Sequence, residues 1–302
     1  MKNILIAGGT GLIGLRLSRL LRGIGYNVTH LSRRADYNAE FPSFAWQPEK
    51  GFVDKNAFSG IDVVINLSGA GIVDKRWTAE RKRLLIESRT LGNRLIAKFL
   101  KTEKHKVTAY ISASAIGFYA DRGADLMTEN DIAGEGFLAE CSMAWEKAIG
   151  EVQQTGVRTV VLRIGIVLDT EGGALPEMLK PFLFRVGTYF GDGQQYVSWI
   201  HAADLCRMFA FAIGNDEMSG TFNAVAPQPE TNYEFTKAIA KAKGSGYLLL
   251  PAPSFALRLA LGEMASTILG STNVSSQKIE KQGFKFVFRD ADSALSDLLK
   301  QS

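Results

Sequence analysis

The first half of the chain alternates two patterns of hydrophobic and polar residues. Short apolar runs rich in β-branched residues end at turn residues, which is typical of strands, and longer segments repeat an apolar residue every three or four positions, which is typical of helices. The predicted strands are 3–7, 27–31, 62–67, 107–112 and 158–168, and the predicted helices are 12–22, 78–100 and 137–154. This alternation predicts a parallel sheet with helices packed on its faces.

The pattern changes after Leu168. Paired glycines and prolines interrupt it up to position 195, which indicates a segment that leaves the sheet. A strand at 196–201, a helix at 202–213 and a strand at 221–225 follow, and the tail from Pro227 is mainly helical. We therefore expect a larger domain from 1–168 plus about 196–226, and a smaller, mainly helical domain from about 169–195 plus 227–302.

Composition excludes several classes of function. The net charge of +4 is small and dispersed, so no nucleic-acid partner is expected, and the apolar runs are shorter than the ~20 residues that cross a bilayer, so no membrane span is expected. Cys141 and Cys206 lie apart with no histidine cluster nearby, which argues against a thiolate zinc site, any other metal centre or a disulfide scaffold. The chain enters its first strand without a secretory start, so we expect a cytoplasmic protein.

A glycine-rich loop joins the first predicted strand to the first helix. Gly8 permits a tight turn, Gly11 lets the backbone approach a pyrophosphate, and Gly14 lets the helix lie against the strand. Amides at the start of the helix face the anion. The alternative is a purely structural turn. The loop predicts a doubly wound parallel sheet of the Rossmann type, with cofactor contacts at Gly8, Thr10, Gly11, Leu12, Ile13 and Gly14.

The end of the second strand bears on the choice of cofactor. An NAD site usually places an acidic residue there to hold the ribose hydroxyls, but the first acid in this chain is Asp36. Ser32, Arg33 and Arg34 instead offer a hydroxyl and two guanidinium groups, which match the 2′-phosphate of NADP(H). The alternative is that one or both arginines are merely solvated. The cofactor predicted is NADP(H).

Several motifs together resemble the extended short-chain dehydrogenases/reductases, and more narrowly their atypical branch labelled "NAD-dependent epimerase/dehydratase family". The resemblance covers nearly the whole chain. The motifs that carry it are the glycine loop, Asn66-Leu67-Ser68-Gly69, Lys75-Arg76-Trp77, Glu87-Ser88-Arg89, the run 112–119, Trp145-Glu146, Leu162-Arg163-Ile164-Gly165, Gly172-Gly173-Ala174, Ser198-Trp199-Ile200-His201 and Gln282-Gly283-Phe284-Lys285-Phe286.

The resemblance implies a Rossmann domain with a small C-terminal domain that closes over it, and NADP(H) in the cleft between them. Ser32 and Arg33 are then contacts of the adenosine phosphate. In the same way the resemblance implies that Leu67 and Ser68 form a wall near the pyrophosphate, that Arg89 is a further cofactor contact, and that Gly165 and Ile166 flank the nicotinamide.

The catalytic pair of this superfamily is missing. Its members use a tyrosine with a lysine four residues later as acid and base, because one helical turn puts both on the same face. Phe137 and Cys141 stand at the expected place. Tyr233 and Lys237 have the right spacing, but they lie in the predicted second domain, and we interpret that spacing as coincidence.

Two residues near the end of the fourth strand are candidate replacements. Ser114 matches the superfamily's substrate-orienting serine, and its alternative is a strand-end hydroxyl bonded to the backbone. Tyr119 could supply a phenol to the cleft, and its alternative is packing at the domain seam.

The remaining polar candidates have structural alternatives too. Glu129 is expected to bind a polar substrate or to cap a turn, and His201 with Asp204 to cap free amides at a helix start. Trp145-Glu146 is interpreted as a packed aromatic beside a structural carboxylate. The basic stretch around Lys82 and Arg83 is interpreted as a solvated helix face.

Two functions remain open. The first is an NADP-dependent oxidoreductase or epimerase-like protein that acts on a small carbonyl or sugar-like molecule. The second is a non-catalytic module that binds NADPH and signals its presence. The intact glycine loop supports both functions. The absence of the tyrosine and lysine pair favours the second, because that pair transfers the proton in catalysis.

Overall fold

The computed structural model of the chain describes residues 1–244 and 246–300. Within these residues the strands, in chain order, are β1 Asn3–Ala7, β2 Asn27–Ser32, β3 Ser43–Gln47, β4 Phe52–Val53, β5 Val63–Asn66, β6 Ala109–Ala115, β7 Leu126–Met127, β8 Arg158–Ile164, β9 Ile166–Leu168, β10 Val186–Phe190, β11 Tyr196–Val197, β12 Trp199–His201, β13 Gly220–Ala224, β14 Glu230–Thr231, β15 Leu248–Ala252 and β16 Asn273–Val274.

The helices are joined to these strands by short loops and 3₁₀ turns. In chain order they are α1 Leu12–Gly23, α2 Ala79–Thr102, α3 Phe137–Gln153, α4 Ala174–Leu179, α5 Ala202–Gly214, α6 Asn232–Lys243, α7 Ser254–Leu261, α8 Ser266–Leu269, α9 Gln277–Lys281 and α10 Ala291–Lys300.

One sheet organises the molecule, in the order β13-β8-β6-β5-β1-β2-β3-β4. All its neighbours run parallel except β3 and β4. The chain winds outward from β1 through β2 to β3, then returns to the other side of β1 at β5. The order therefore reverses between β1 and β5, which is where doubly wound sheets bind their ligands. The predicted fold class, a Rossmann-type parallel sheet with a helical C-terminal region, is confirmed.

The sheet's central strands are buried on both faces. Ile4, Leu5 and Ile6 of β1 are 0% exposed, as are Val63 and Val64 of β5. Strands buried on both sides are continuous apolar runs rather than alternating ones, which is why these two were recognisable from the sequence.

Three predictions of strand extent were wrong. The predicted strand 158–168 breaks at Gly165 into β8, which joins the main sheet, and β9, which pairs with β12. The predicted strand 196–201 is likewise two short strands outside that sheet, and the predicted 107–112 runs instead from Ala109 to Ala115. The sequence analysis missed β3 and β4, which lie at the sheet's edge.

The tail packs against both the segment that leaves the sheet and the core of the main sheet. A second apolar cluster joins Leu168, Trp199, Phe235 and Leu295, so α6 and α10 cover the segment that leaves the sheet. The division into two domains at the predicted boundaries stays a prediction.

A short stretch of the tail returns to the main core. Ile279, Phe284 and Phe286 lie in the same cluster as the strands of the large sheet. Two carboxylate oxygens of the buried Asp204 on α5 accept hydrogen bonds from the amides of Val287 and Phe288.

Candidate functional site

The candidate site lies at the carboxyl edge of the main sheet. Because the strands are parallel, the loops that follow β1, β2, β5, β6 and β8 all leave the sheet at this edge. These loops, together with the strand ends and helices beside them, carry the residues that the sequence analysis selected for the site.

The glycine loop after β1 has no room for a side chain at Gly8 or at Gly14. Gly8 has φ +79°, and a Cβ built there would lie 2.8 Å from the carbonyl carbon of Leu67. At Gly14 a Cβ would lie 2.3 Å from the carbonyl oxygen of Gly8, so the helix rests directly on the turn. Any side chain at these two positions would push β1, β5 and α1 apart.

The start of α1 is open to a ligand. Gly11 is its N-cap and supplies no side chain to the first-turn amides, which belong to residues including Leu12 and Ile13. A Cβ at Gly11 would meet only the Gly8 carbonyl oxygen within 4 Å, at 3.4 Å, and Thr10 beside it is exposed. An uncapped helix start with an empty approach is suited to an anion such as a pyrophosphate.

The end of β2 presents unpaired cations. Ser32 is half-buried, whereas Arg33 and Arg34 are exposed. Within residues 1–244 and 246–300, neither guanidinium has an ion pair or hydrogen bond. The Arg33 carbonyl oxygen alone is engaged, by Gln47 Nε2 at 3.5 Å. Both arginines are therefore available to bind a phosphate group.

The loop after β5 forms the other wall. The Leu67 amide donates to Ala7 at 2.8 Å, and Ser68 donates from its amide and its hydroxyl to Asn66 Oδ1, at 3.0 and 2.6 Å. Asn66 is fixed in turn by a hydrogen bond from its Nδ2 to the Tyr110 hydroxyl at 3.0 Å. A buried polar network thus holds the Leu67 backbone against the glycine loop.

Arg89 is a buried cation without a carboxylate partner in the described part of the chain. Its Nη1 donates to the Leu85 carbonyl oxygen at 3.0 Å, and its guanidinium carbon lies 5.1 Å from the centroid of a Trp145 ring. A Cβ at Gly69 would lie 3.3 Å from that carbon, so the group sits beneath the loop after β5. Burial lowers the pKa of Arg89. A buried charge without a counter-charge is costly, and an anionic ligand would offset that cost.

The two residues expected at the nicotinamide are held through their backbone. A Cβ at Gly165 would lie 2.6 Å from the Ser198 carbonyl oxygen, so only glycine fits there. The Gly165 amide donates to Ala224 at 3.1 Å and the Ile166 amide to Ser198 at 2.9 Å. Both amides are used by the fold, and the half-buried Ile166 side chain packs against the second apolar cluster. The contacts of Gly165 and Ile166 with a nicotinamide stay predictions.

The candidate catalytic residues belong to one buried network. Ser114 Oγ donates to Glu146 Oε1 at 2.7 Å. Arg163 binds both Glu146 oxygens at 2.8 Å and donates from Nη1 to the Tyr119 hydroxyl at 2.9 Å. That hydroxyl donates to Asn223 Oδ1 at 2.7 Å. The network ties the ends of β6, β8 and β13 to α3.

This network changes the interpretation of both candidates. Tyr119 is 0% exposed, its hydroxyl has a donor and an acceptor, and burial raises its pKa. Its geometry fits the packing alternative rather than a phenol offered to the cleft. Ser114 is 2% exposed and bonds a carboxylate rather than the backbone, so its backbone-bonded alternative is wrong, and its role as a substrate-orienting serine stays a prediction.

Where the superfamily keeps its tyrosine and lysine, this chain has an apolar cluster. Phe137 and Cys141 are buried together with Leu85, and Trp77 packs edge-on against Phe137 with 4.8 Å between ring centroids. Burial raises the pKa of the Cys141 thiol. Neither side chain can exchange a proton near neutral pH.

The remaining candidates have structural roles. Glu129 Oε1 accepts from the Asn223 amide at 2.8 Å, and His201 Nδ1 caps α5 by accepting from Ala203 at 3.0 Å. The helix-cap prediction was right for His201 and wrong for Asp204, because Asp204 accepts from the distant tail.

The Tyr233–Lys237 pair does not form a site. The Tyr233 ring packs edge-on against Tyr189 at 5.2 Å between centroids, while Lys237 Nζ bonds Glu234 at 3.2 Å. Both lie on α6, away from the glycine loop.

A cleft of about 520 Å³ opens beside the apolar cluster. One wall is Gly117 and the start of α3 at Gly136–Leu138, and the other is the tail segment 258–272, including Arg258 and Glu263. A cleft of this volume takes a small molecule.

Sequence reasoning missed Arg163 and Asn223. The signal was present for Arg163, because a guanidinium in the middle of an apolar strand needs a buried partner. Asn223 gave no such signal, since its role follows only from the pairing of β13 with β8.

The described residues contain no group of three or more His, Cys, Asp or Glu side chains placed to hold a metal ion. None of the helices in 1–244 and 246–300 combines the length and apolarity needed to cross a membrane.

Comparisons with known proteins give one consistent result. Residues 4–224 match the NAD dependent epimerase/dehydratase family, and residues 252–298 match a domain of unknown function, DUF1731. "Epimerase family protein Mb2239" of Mycobacterium bovis is 37% identical over 294 residues, 97% of this chain and 96% of that protein. "Epimerase family protein YfhF" of Bacillus subtilis is 35% identical over 299 residues, 98% of each chain.

Solved structures agree. The human epimerase family protein SDR39U1 (isoform 2), crystallised with NADPH, superposes with a TM-score of 0.89 at 27% identity, over 99% of this chain and 100% of that one. The nucleoside-diphosphate sugar epimerase of Corynebacterium glutamicum gives 0.80 at 31% identity, over 100% of this chain and 59% of that one. The fold, the glycine loop and these matches together show that the chain belongs to the NAD-dependent epimerase/dehydratase family.

Proposed function

We propose that the protein binds NADP(H) along the carboxyl edge of its sheet and acts as an oxidoreductase or epimerase-like enzyme on a small carbonyl or sugar-like substrate. The choice of NADP(H) depends on the end of β2. The side chains of Arg33 and Arg34 have no partner in the described residues, and this strand end lacks the acidic residue that would bind the ribose hydroxyls of NAD. NADPH bound to the human relative SDR39U1 supports the same choice.

The chain's own residues account for each part of the cofactor. The first-turn amides of α1 and the empty approach at Gly11 fit the pyrophosphate, and Arg89 supplies a cation beneath the loop after β5. Arg33 and Ser32 fit the 2′-phosphate. Leu67 forms a wall near the pyrophosphate, and Ile166 flanks the nicotinamide.

The chemistry is divided between cofactor and protein. A nicotinamide supplies or accepts a hydride when it is bound. The protein orients the substrate in the 520 Å³ cleft, excludes water with the apolar cluster around Phe137, and moves a proton to or from the substrate oxygen. Its two cysteines are free thiols, in keeping with a reducing compartment such as the cytoplasm.

Calorimetric titration of the purified protein with NADPH and with NADH tests the proposal. NADPH is expected to bind at least tenfold more tightly, because an arginine fork on a phosphate adds charge-assisted hydrogen bonds. Equal affinity would remove the assignment of Arg33, and no binding of either nucleotide would remove the whole proposal.

A second function is favoured by one observation. Phe137 and Cys141 replace the proton-transferring pair with an apolar cluster, and Tyr119 is enclosed in the fold. A module that binds NADPH without turnover would have this composition. NADPH binding without any oxidation across a panel of aldehydes, ketones and keto sugars would favour this sensor over the enzyme.

A further inference from the structure

Lys82 lies over the ring that replaces the missing tyrosine. Its Nζ is 5.1 Å from the centroid of Phe137, and Phe137 lines the 520 Å³ cleft. Lys82 comes from the first turn of α2, whereas Phe137 is on α3. An ammonium thus stands beside the position where the superfamily has a phenol.

A carboxylate from the tail holds this ammonium. Lys82 Nζ donates to Glu263 Oε1 at 2.6 Å and lies 2.5 Å from Oε2. Glu263 also lines the cleft, from the wall opposite Phe137. The ion pair therefore joins α2 to the tail segment at the border of the cleft.

The sequence interpretation of a solvated face is wrong for Lys82. Its side chain is 29% exposed, whereas that of the adjacent Arg83 is 71% exposed. Arg83 has only a loose contact with Glu87, at 3.9 Å. Lys82 is shielded enough to have a fixed geometry and open enough to exchange its proton with solvent.

Other proton donors near the cleft are already used. Tyr119 donates to Asn223 and Ser114 to Glu146. Arg258 lines the cleft, but a guanidinium does not release a proton in proteins. Among the described residues that line the cleft there is no Tyr, Lys or His, and the carboxyl groups there belong to Asp121, Glu135 and Glu263. The Lys82 ammonium is the amine that one of these carboxylates, Glu263, holds beside the cleft.

We propose that Lys82 supplies the proton that completes carbonyl reduction in this cleft, and that Glu263 holds its ammonium in place. The proposal rests on the proposed function. A hydride from the reduced nicotinamide adds to the carbonyl carbon, the electron pair of the C=O π bond moves to oxygen, and that oxygen takes a proton from Nζ. The products are the alcohol, the oxidised nucleotide and a neutral amine, which regains its proton from water at the exposed side of Lys82.

Steady-state kinetics with NADPH and 4-nitroacetophenone test the role of Lys82. For Lys82→Met, kcat is expected to fall about 100-fold or more, which is the usual contribution of a general acid. KM and the dissociation constant of NADPH should stay within threefold of wild type. The matched control is Arg83→Met, one residue away and exposed, which should leave kcat unchanged.

A footprint gives a readout that does not depend on turnover. Acetylation of lysines by acetic anhydride, mapped by mass spectrometry, should be slowed at Lys82 when NADP⁺ and 4-nitroacetophenone are both present, and unchanged at Lys237 on α6. Glu263→Gln should raise the rate at Lys82, because the amine loses the carboxylate that holds and covers it.

The outcomes separate this proposal from the proposed function. Unchanged kcat in Lys82→Met, or no protection of Lys82 in the ternary mixture, overturns the role of Lys82 and leaves NADP(H) binding intact. Wild-type protein that binds NADPH but reduces no ketone overturns both the role of Lys82 and redox chemistry. Loss of NADPH binding in wild type overturns the proposed function itself.

Discussion

Tyr119 donates its phenol hydrogen to Asn223 Oδ1 at 2.7 Å, inside the fold and shielded from solvent. Tyr119→Phe should therefore destabilise the protein without affecting cofactor binding. Asn223 and Arg163 would lose a partner, at a cost of about 1–3 kcal/mol. Urea unfolding measures this, and Tyr37→Phe is the control, because Tyr37 is 59% exposed. A loss of NADPH affinity in Tyr119→Phe would contradict the structural role.

Gly8→Ala should abolish NADPH binding. The new Cβ would lie 2.8 Å from the Leu67 carbonyl carbon, at a φ of +79° that side chains rarely adopt. Gly25→Ala is the matched control, because Gly25 has φ +92° but no atom within 4 Å of its Cβ position. Calorimetry should show full binding by the Gly25 variant. Equal loss in both variants would mean that backbone strain, and not the glycine loop, is responsible.

Arg33→Ala should weaken NADPH binding about 10- to 100-fold, since charge-assisted hydrogen bonds contribute about 1.5–3 kcal/mol. The affinity for NADH should change less than twofold, because NADH lacks the phosphate that Arg33 is expected to contact. Arg83→Ala controls for net charge. The same loss for both nucleotides would show that Arg33 acts on the shared part of the cofactor or on the fold.

Glu146→Gln should cost about 3–5 kcal/mol, because it leaves the buried Arg163 without its counter-charge. Glu146 is 16% exposed and accepts hydrogen bonds from Arg163 and Ser114. Glu151→Gln, on the same helix, breaks an exposed pair with Arg94 and should cost less than about 1 kcal/mol. Urea unfolding of the two variants makes the comparison, and equal losses would contradict it.

His30 makes stability depend on pH. It is 2% exposed, its Nε2 lies 2.7 Å from Ser18 Oγ, and burial lowers its pKa from 6.5 to about 4. Between these values the unfolded chain binds a proton that the folded chain does not. Stability is therefore full above pH 6.5 and falls as the pH drops toward 4, by at most about 3 kcal/mol.

Urea unfolding between pH 7 and pH 4.5, for wild type and His30→Asn, measures this contribution. His201 also has a lowered pKa owing to burial, and its effect cancels because both proteins retain it. The variant should lose less stability on acidification than wild type. Parallel curves would show that His30 contributes nothing.

The parts of the fold that could be predicted are those with local causes. Gly8 and Gly14 could be recognised because tight backbone contacts exclude a side chain at these positions, and Gly11 because its spacing completes the loop motif. The break at Gly165 could not be recognised, since it arises from Ser198, a residue 33 positions away that packs against it. Long-range packing of this kind leaves no periodic signal in the sequence.

The candidate site divides in the same way. The two exposed arginines at the end of β2 could be predicted from the local sequence alone, because Arg33 and Arg34 depend on no distant partner. Tyr119 was offered as a phenol for the cleft because its partners Asn223 and Arg163 come from other strands. Lys82 was assigned to a solvated face because its partner Glu263 is 181 residues away along the chain. The sequence predicts the chemistry of a side chain only where the partners of that side chain are close to it along the chain.

The return of the tail to the main core has a consequence for how this chain can be divided. The family matches end at 224 and resume at 252, yet Ile279, Phe284 and Phe286 complete the apolar core of the first part. A fragment truncated after Ala224 would expose that core and leave Asp204 buried without its two amide donors. The two matched regions are thus unsuited to separate expression, and grafting the tail of one relative onto another would require the receiving surface on α5 to be transplanted with it.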